Sequence, residues 1–477
     1  MHSDFSTPGA QPEHAIAAPT RYLWLICLVA ALGGLLFGYD WVVIGGAKPF
    51  YEAYFGVHDP AMSGWLMSSA LVGCIAGAMC AGMLADRHGR RPALIVASIL
   101  FVASAIGAAM ANSAFAFAAF RIVGGMGIGL ASGLSPMYIA EVSPAASRGR
   151  LVAVNQLTIV IGVLLAQMVN LWIARPVPPQ MDAAALLQSW NVQHGWRWMF
   201  LSGGVPAVLF LLLALTIPES PRWLSRRGRD AQAASVLERI GGADYARDVL
   251  AAIRAAHDHR KVGGGRASLW APELRPILAI GVVLAVFQQW CGINVIFNYA
   301  QDIFASAGFD VNDALKSIVA TGAVNLVFTV LALQLVDSWG RRRLMLVGAG
   351  ALAVIYALIG GTYAAHVMGL PVLLLVLAAI AVYATTLAPV TWVLLAEIFP
   401  DRIRAQAVSL GVFSLWTACF VLTYTFPWLN ARLGAAGSFW TYGLICAAGF
   451  VFILRRVPET SGVALEAMET RLTGRGD

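Results

Sequence analysis

Apolar residues run along this chain in blocks too long for ordinary soluble helices. Twelve blocks reach the roughly 20 residues that cross a bilayer as an α-helix. Six lie at about 22–46, 62–84, 93–112, 115–140, 152–173 and 196–217, and six more at about 277–300, 315–336, 344–365, 371–396, 405–427 and 438–454. Between the two sets, 218–276 holds no such block. There, from Asp230 to His257, apolar residues recur at helical spacing: Ala234, Leu237 and Ile240, then Val249, Leu250 and Ile253, parted by Gly241 and Gly242. This pattern predicts short amphipathic helices on a membrane face. The expected architecture is an all-α integral membrane protein of twelve transmembrane helices. It divides into a tail (1–21), a six-helix bundle (22–217), a helical linker (218–276), a second six-helix bundle (277–455) and a final tail (456–477).

Charge sets the orientation. Only 12% of the 477 residues are charged and 59% are hydrophobic, where soluble domains carry about 25% charged residues. The net charge of +7 therefore speaks to loop placement and not to nucleic acid. Arg87, Arg90 and Arg91 follow the second block, Arg148 and Arg150 the fourth, Arg341, Arg342 and Arg343 the eighth, and Arg402 and Arg404 the tenth. Eleven Lys or Arg fall between Arg222 and Arg275. The opposite loops hold isolated cations such as Lys48, Arg175, Lys316 and Arg432. By the positive-inside rule both termini are cytoplasmic. Residues 1–20 lack the basic and apolar regions of a cleaved signal, so the first block reads as an uncleaved anchor. The six cysteines all fall in apolar blocks without metal spacing and read as small buried hydrophobes.

The two halves repeat. Ala85-Asp86-Arg87-His88-Gly89-Arg90-Arg91 after the second block matches Val336-Asp337-Ser338-Trp339-Gly340-Arg341-Arg342-Arg343 after the eighth. Ala140-Glu141-Val142-Ser143-Pro144 with Arg148 matches Ala396-Glu397-Ile398-Phe399-Pro400 with Arg404. Pro218-Glu219-Ser220-Pro221 matches Pro458-Glu459-Thr460. Such duplication places a substrate site near mid-membrane between halves that rock about it.

Two charges stand deep in apolar blocks: Asp40 in the first and Arg121 in the fourth. An intramembrane ionisable residue is a functional hypothesis by default. Arg keeps its proton, so protonating Asp40 releases the pair and leaves Arg121 to find another partner. The plainer alternatives are a permanent structural pair, or an Asp that caps a helix break at Gly38. In the seventh block Phe287-Gln288-Gln289-Trp290-Cys291-Gly292-Ile293-Asn294 and Asn298 offer amides suited to hydroxyls, and Gly292 is placed to break the helix. Asn294 and Asn298, four apart, share a helix face.

At these residues the chain resembles the major facilitator superfamily and, within it, the sugar porters, in particular the bacterial proton-coupled xylose transporters. The motifs are Gly33 to Asp40, Asp86 to Arg91, Arg121-Ile122-Val123-Gly124-Gly125, Pro218 to Arg222, Gln288-Gln289 with Asn294, Pro389-Val390-Thr391-Trp392, and Pro458-Glu459-Thr460. The resemblance implies monosaccharide:H⁺ symport by alternating access, with proton coupling at Asp40 and Arg121 and no cofactor or metal. It implies hydrogen bonding of sugar by Gln288, Gln289 and Asn294, apolar walls from Phe37, Trp392 and Trp416, and a peripheral contact from Asn325. Gln167 and Asn298 join this set as polar residues on the same faces. A cytoplasmic gate is implied at Asp86, Arg87, Glu141, Arg148, Glu219 and Arg222, with Asp337, Arg341, Glu397, Arg404 and Glu459 in the other half. Arg90, Arg91 and the linker cations read as solvated loop charge. The implied partners are a small sugar, H⁺ and the bilayer, with a monomer as the working unit.

The chain departs from the xylose-type pattern at Val163, Asn298 and Leu415, and Gly203-Gly204-Val205 in the sixth block lacks an acid found in some coupled relatives. Pentose and hexose thus stay open. A facilitative uniporter and a non-transporting sugar sensor are the competing functions. A primary pump is disfavoured because no G-x-x-x-x-G-K-[ST] motif occurs.

Overall fold

The computed structural model describes residues 20–178, 183–262, 271–399 and 403–459, all helices and their connections. Local chemistry sets many helix starts. The Thr20 hydroxyl accepts from Leu23 N (3.2 Å), Asp59 from Met62 N (3.2 Å), Ser113 from Ala116 N (3.2 Å) and Asp310 from Asp313 N (2.8 Å). Each satisfies an amide that the first helical turn leaves unpaired. The first five spans are Arg21–Phe55, Pro60–His88, Arg90–Met110, Ala114–Val142 and Arg148–Ile173. The sixth, Asn191–Ala214, opens with one π turn. The seventh, Arg275–Asn298, breaks where Gly292 adopts φ 87°, as its sequence predicts. Val311–Trp339 and Arg341–Ala364 follow, and then Leu370–Leu395, which is interrupted at Thr386.

The last helix, Arg404–Arg456, runs for 53 residues. At about 1.5 Å per residue it is more than twice the thickness of a bilayer core. Gly434 (φ 66°, ψ 177°) breaks it, and division there yields the eleventh and twelfth spans. The loop expected between about 427 and 438 is therefore helix with a kink.

The packing repeats with the sequence. Spans one and five pack together, as do seven and eleven; spans two and four pack together, as do eight and ten. Between bundles, span two meets eleven and span five meets eight, the contact expected of a two-fold repeat. Lipid supplies no hydrophobic drive between helices, so small residues set the approach. A Cβ on Gly125 would lie 1.8 Å from the Ala70 carbonyl, and one on Gly73 2.0 Å from that of Ile122. Gly125→Val should therefore cost about 1–3 kcal/mol or more, read as a lower melting temperature and yield of extracted protein. Gly82→Val, where a Cβ meets nothing within 4 Å, should change neither.

The linker carries Pro221–Arg226, Asp230–Gly241 and Ala243–Val262. Leu237, Ile240 and Leu250 of its apolar stripe are buried. Large apolar side chains such as Met83, Phe115, Val205, Leu212 and Leu444 are exposed around the bundles, as a lipid-facing belt requires. Five cysteines are buried, but Cys80 is exposed on the second span, so the expectation of six buried ones is corrected.

Candidate functional site

The first span is helical straight through Gly38, whose missing Cβ admits the Ile159 carbonyl of span five. Asp40 therefore caps no break. It faces the fourth span, where Arg121 Nη1 donates to Asp40 Oδ1 at 2.7 Å and Nη2 to the Asp40 main-chain oxygen at 3.0 Å. The two side chains are 2% and 16% exposed. The Phe200 ring lies 5.6 Å from the guanidinium. Asp40 Oδ2 and Arg121 Nε are buried and bond to no protein group. The carboxylate is thus held through one oxygen. A two-pronged pair would be harder to release.

The amide cluster lies on either side of Gly292. Gln288 Nε2 donates to the Tyr383 hydroxyl at 2.6 Å, Gln289 donates to Gln288 Oε1, and Asn294 donates to Gln289 Oε1 and, at 3.7 Å, to Cys419 Sγ. One turn before Cys419, Trp416 packs on Phe37 (5.8 Å) and on Trp41 (5.7 Å). One turn after Phe37 comes Asp40. Contacts and single helix turns thus link the acid–arginine pair to the amides through three aromatic rings. Trp416 Nε1 is buried without a protein partner, so the indole holds an unused donor. Trp41 and Tyr383 were not among the expected site residues. Trp41 was legible at helical spacing from Phe37, whereas Tyr383 carries no such sign.

The other expected sugar contacts fall elsewhere. Gln167 donates to Thr321 Oγ1 at 3.3 Å at the junction of spans five and eight, and Asn325 lies one turn beyond Thr321. Trp392 is 41% exposed and stands outside the ring cluster. Asn298 lines a small cavity with Arg121 and Trp41.

On the arginine-rich side the expectation for Arg90 is overturned. It is 3% exposed. Its Nε and Nη2 grip the two oxygens of Glu141 at 2.9 Å each, and Nη1 reaches the Ala85 carbonyl at 3.0 Å and Asp86 at 3.3 Å. Glu219 accepts from the main-chain amides of Arg90 (2.9 Å) and Arg91 (3.2 Å). Burial pushes its carboxyl above the ordinary range, against the pull of those amides. Gly89 (φ 106°) makes this possible, since a Cβ there would lie 2.1 Å from Glu219 Oε2. The second half reproduces the device. Glu459 accepts from Arg341 N (3.0 Å) and Arg342 N (3.2 Å) beside Gly340, and Arg341 pairs with Glu397 at 3.6 Å. Arg148 Nε donates to the Ala140 carbonyl at 3.1 Å. Burial and the Arg148 charge lower the pKa of neighbouring Arg222. Arg87 is exposed and offers its carbonyl to Arg227. The side chains of Asp337 and Arg404 lie outside the described residues.

The opposite side joins the bundles. Lys48, expected as a loop cation, is 6% exposed. It bonds Glu52 at 2.9 Å on its own helix and Asp302 of the seventh-span region at 3.0 Å. Glu52 in turn accepts from Ser63 at 2.5 Å. Val177 N donates to Asn312 Oδ1 at 3.2 Å, and Asn312 donates back to the Val177 carbonyl at 3.1 Å.

Two pseudo-symmetric six-helix bundles, with a buried acid–arginine pair and an amide–aromatic cluster at their junction, define a secondary membrane transporter. The family described as "Sugar (and other) transporter" matches residues 26–472. The D-xylose-proton symporter of Escherichia coli (strain K12) is 39% identical over 94% of this chain and 96% of its own length. The arabinose-proton symporter of Bacillus subtilis (strain 168) is 36% identical over 94% of each chain. The xylose transporter of E. coli, solved in an inward-open conformation, superposes with a TM-score of 0.83 at 36% identity, covering 94% of this chain and all of that one. The chain belongs to the sugar transporter family, the sugar porters of the major facilitator superfamily.

Proposed function

We propose that this multi-pass membrane protein imports a pentose or hexose together with a proton by alternating access. The observation that carries this reading is the run of contacts and single helix turns from Asp40 and Arg121, through Phe37, Trp41 and Trp416, to Asn294, Gln289 and Gln288. A proton at one end and a sugar at the other then bear on the same helix packing. The names of the relatives, symporters of D-xylose and of arabinose, support both substrates. The sugar site would offer amides and the Trp416 N–H to hydroxyls and the rings to C–H faces. Val163 and Leu415 remove polar partners that xylose-type sites have, so the preferred hydroxyl pattern differs.

In this reading the arginine-rich side is cytoplasmic, with both termini, and the membrane is the cell membrane. The bundles meet on the outer side through Lys48–Asp302 and Gln167–Thr321. That is the closure a state open to the inside needs. The Glu141, Glu219, Glu397 and Glu459 networks form the inner gate, and one monomer suffices.

Uptake into reconstituted vesicles, screened over pentoses, hexoses and polyols with and without a pH gradient, tests the reading. Uphill accumulation should follow the gradient for one sugar class. Uptake indifferent to the gradient would make the protein a uniporter. Gln289→Ala should raise the KM of the favoured sugar by roughly 5–150-fold, the equivalent of about 1–3 kcal/mol for a buried hydrogen-bond group left without its partner. Unchanged kinetics would remove Gln289 from the site.

A further inference from the structure

Protonation of Asp40 leaves Arg121 charged, buried and short of an acceptor. The structure limits where it can turn. Beside the guanidinium lies a small cavity with about 10 Å³ open to the centre of a water molecule, room for roughly one. Its other wall residues are apolar or sulfur-bearing, apart from Trp41 and Asn298. The Trp41 indole can only donate. The sulfur of Met67 already takes the Tyr51 hydroxyl at 3.1 Å. Asn298 is the one lining residue that carries a side-chain oxygen. It comes from the other bundle, at the end of the Ile293–Asn298 turn that begins after Gly292. Its main chain is pressed on the first span, where a Cβ on Gly45 would lie 3.0 Å from the Asn298 carbonyl. Arg121 Nε, buried without a partner, is free to bond once the guanidinium shifts.

We propose that Asn298 is the acceptor to which Arg121 turns when Asp40 is protonated, and that this exchange passes the proton's arrival to the sugar-binding span. The inference rests on the symport reading above and adds a residue to it. Asn298 then acts as a positioning residue. It sits one turn from Asn294, so a pull on it moves the segment that presents Asn294 to the sugar. The exchange moves no covalent bond: the proton stays on Asp40, and a guanidinium N–H leaves a carboxylate for an amide oxygen.

Several other titratable groups face the pair. Tyr39 on the first span and Cys74 on the second feel the charge of Asp40, and Tyr51 that of Arg121; all three types ordinarily titrate above neutrality. Tyr39 is bonded to Ser202 at 2.7 Å. The sixth span presents Phe200, and the third Ser104. From the other bundle Asp302, whose charge Tyr299 feels, is held by Lys48.

The test is thermodynamic linkage: if protonation strengthens sugar binding, sugar must strengthen protonation by the same factor. D-xylose and arabinose are titrated calorimetrically into the full-length protein in lipid nanodiscs, at acidic and at alkaline pH. The wild type should bind at least about fivefold tighter when Asp40 is protonated, the lower end of usual coupling. In Asn298→Leu, of similar size but with no acceptor, that ratio should collapse towards unity. Asn298→Ser, which keeps an oxygen, should retain part of it, and Asn298→Ala replaces the Leu variant if that one does not fold. Proton uptake on sugar binding, read from buffers of different ionisation heat, should vanish in step. A Leu or Ala variant that weakens binding equally at both pH values, ratio intact, would overturn the proposal and make Asn298 an ordinary sugar contact. A wild type that moves no proton with sugar would instead overturn the symport reading itself.

Discussion

Asp40→Asn should abolish uphill accumulation of sugar while exchange of sugar across the membrane continues. The side chain keeps its shape and loses only its charge, so the variant stands permanently in the protonated condition. Arg121, 1% exposed and always charged, is then never recaptured by a carboxylate. The two bundles exchange without waiting for a proton, and a gradient has nothing on which to act. Counterflow in vesicles should persist, and accumulation should stop at the outside concentration at every imposed pH gradient. The pairing geometry favours release: one Arg121 N–H holds one carboxylate oxygen of Asp40 at 2.7 Å, and Oδ2 is bound to no protein group. A variant that still concentrates sugar would separate Asp40 from coupling.

Arg90→Ala should be the most destabilising of the charge removals on the arginine-rich side. Its guanidinium binds Glu141 through two nitrogens at 2.9 Å, with side chains 4% and 13% exposed. Taking away one partner of a buried pair costs about 3–5 kcal/mol, because the other charge is stranded. Glu141 would retain the Ser220 hydroxyl at 2.5 Å, and the Ala85 carbonyl would keep only the Gly89 amide at 3.0 Å. Thermal unfolding in detergent should show a drop of several degrees or more and a reduced yield. Arg341→Ala, at the equivalent position of the second half, should cost less, since its Glu397 contact is longer at 3.6 Å and the side chains are 15% and 29% exposed. Equal losses at the two sites would contradict the contrast drawn between them.

Hydropathy alone located the spans, because a bilayer demands long apolar runs and little else resembles them. The break at Gly292 and the pairing of Asp40 with Arg121 were legible for related reasons: a glycine amid amides and two charges at bilayer depth are each costly unless used. Arg90 was not legible. Read along the chain, it is one of two arginines after a glycine at a helix end, the pattern of a solvated turn. Its burial depends on Glu141 and on Glu219, which is 129 residues away. Lys48 misled in the same way, since its acceptor Asp302 lies 254 residues on, in the other bundle. Both errors come from local exposure being inferred where distant packing decides it. The helical turns that carry the chain up to and on from the kink at Gly434 were missed because small and polar residues between two apolar runs resemble a loop equally well.

The central claim is that sugar and proton cross together because Asp40 must be neutral for the bundles to exchange. Its most direct test is proton movement itself, recorded with a pH-sensitive dye inside vesicles as the favoured sugar is added without any imposed gradient. The account predicts prompt internal acidification in the wild type and none in Asp40→Asn, with sugar entering both. Sugar entry into wild-type vesicles with no change in internal pH would contradict it.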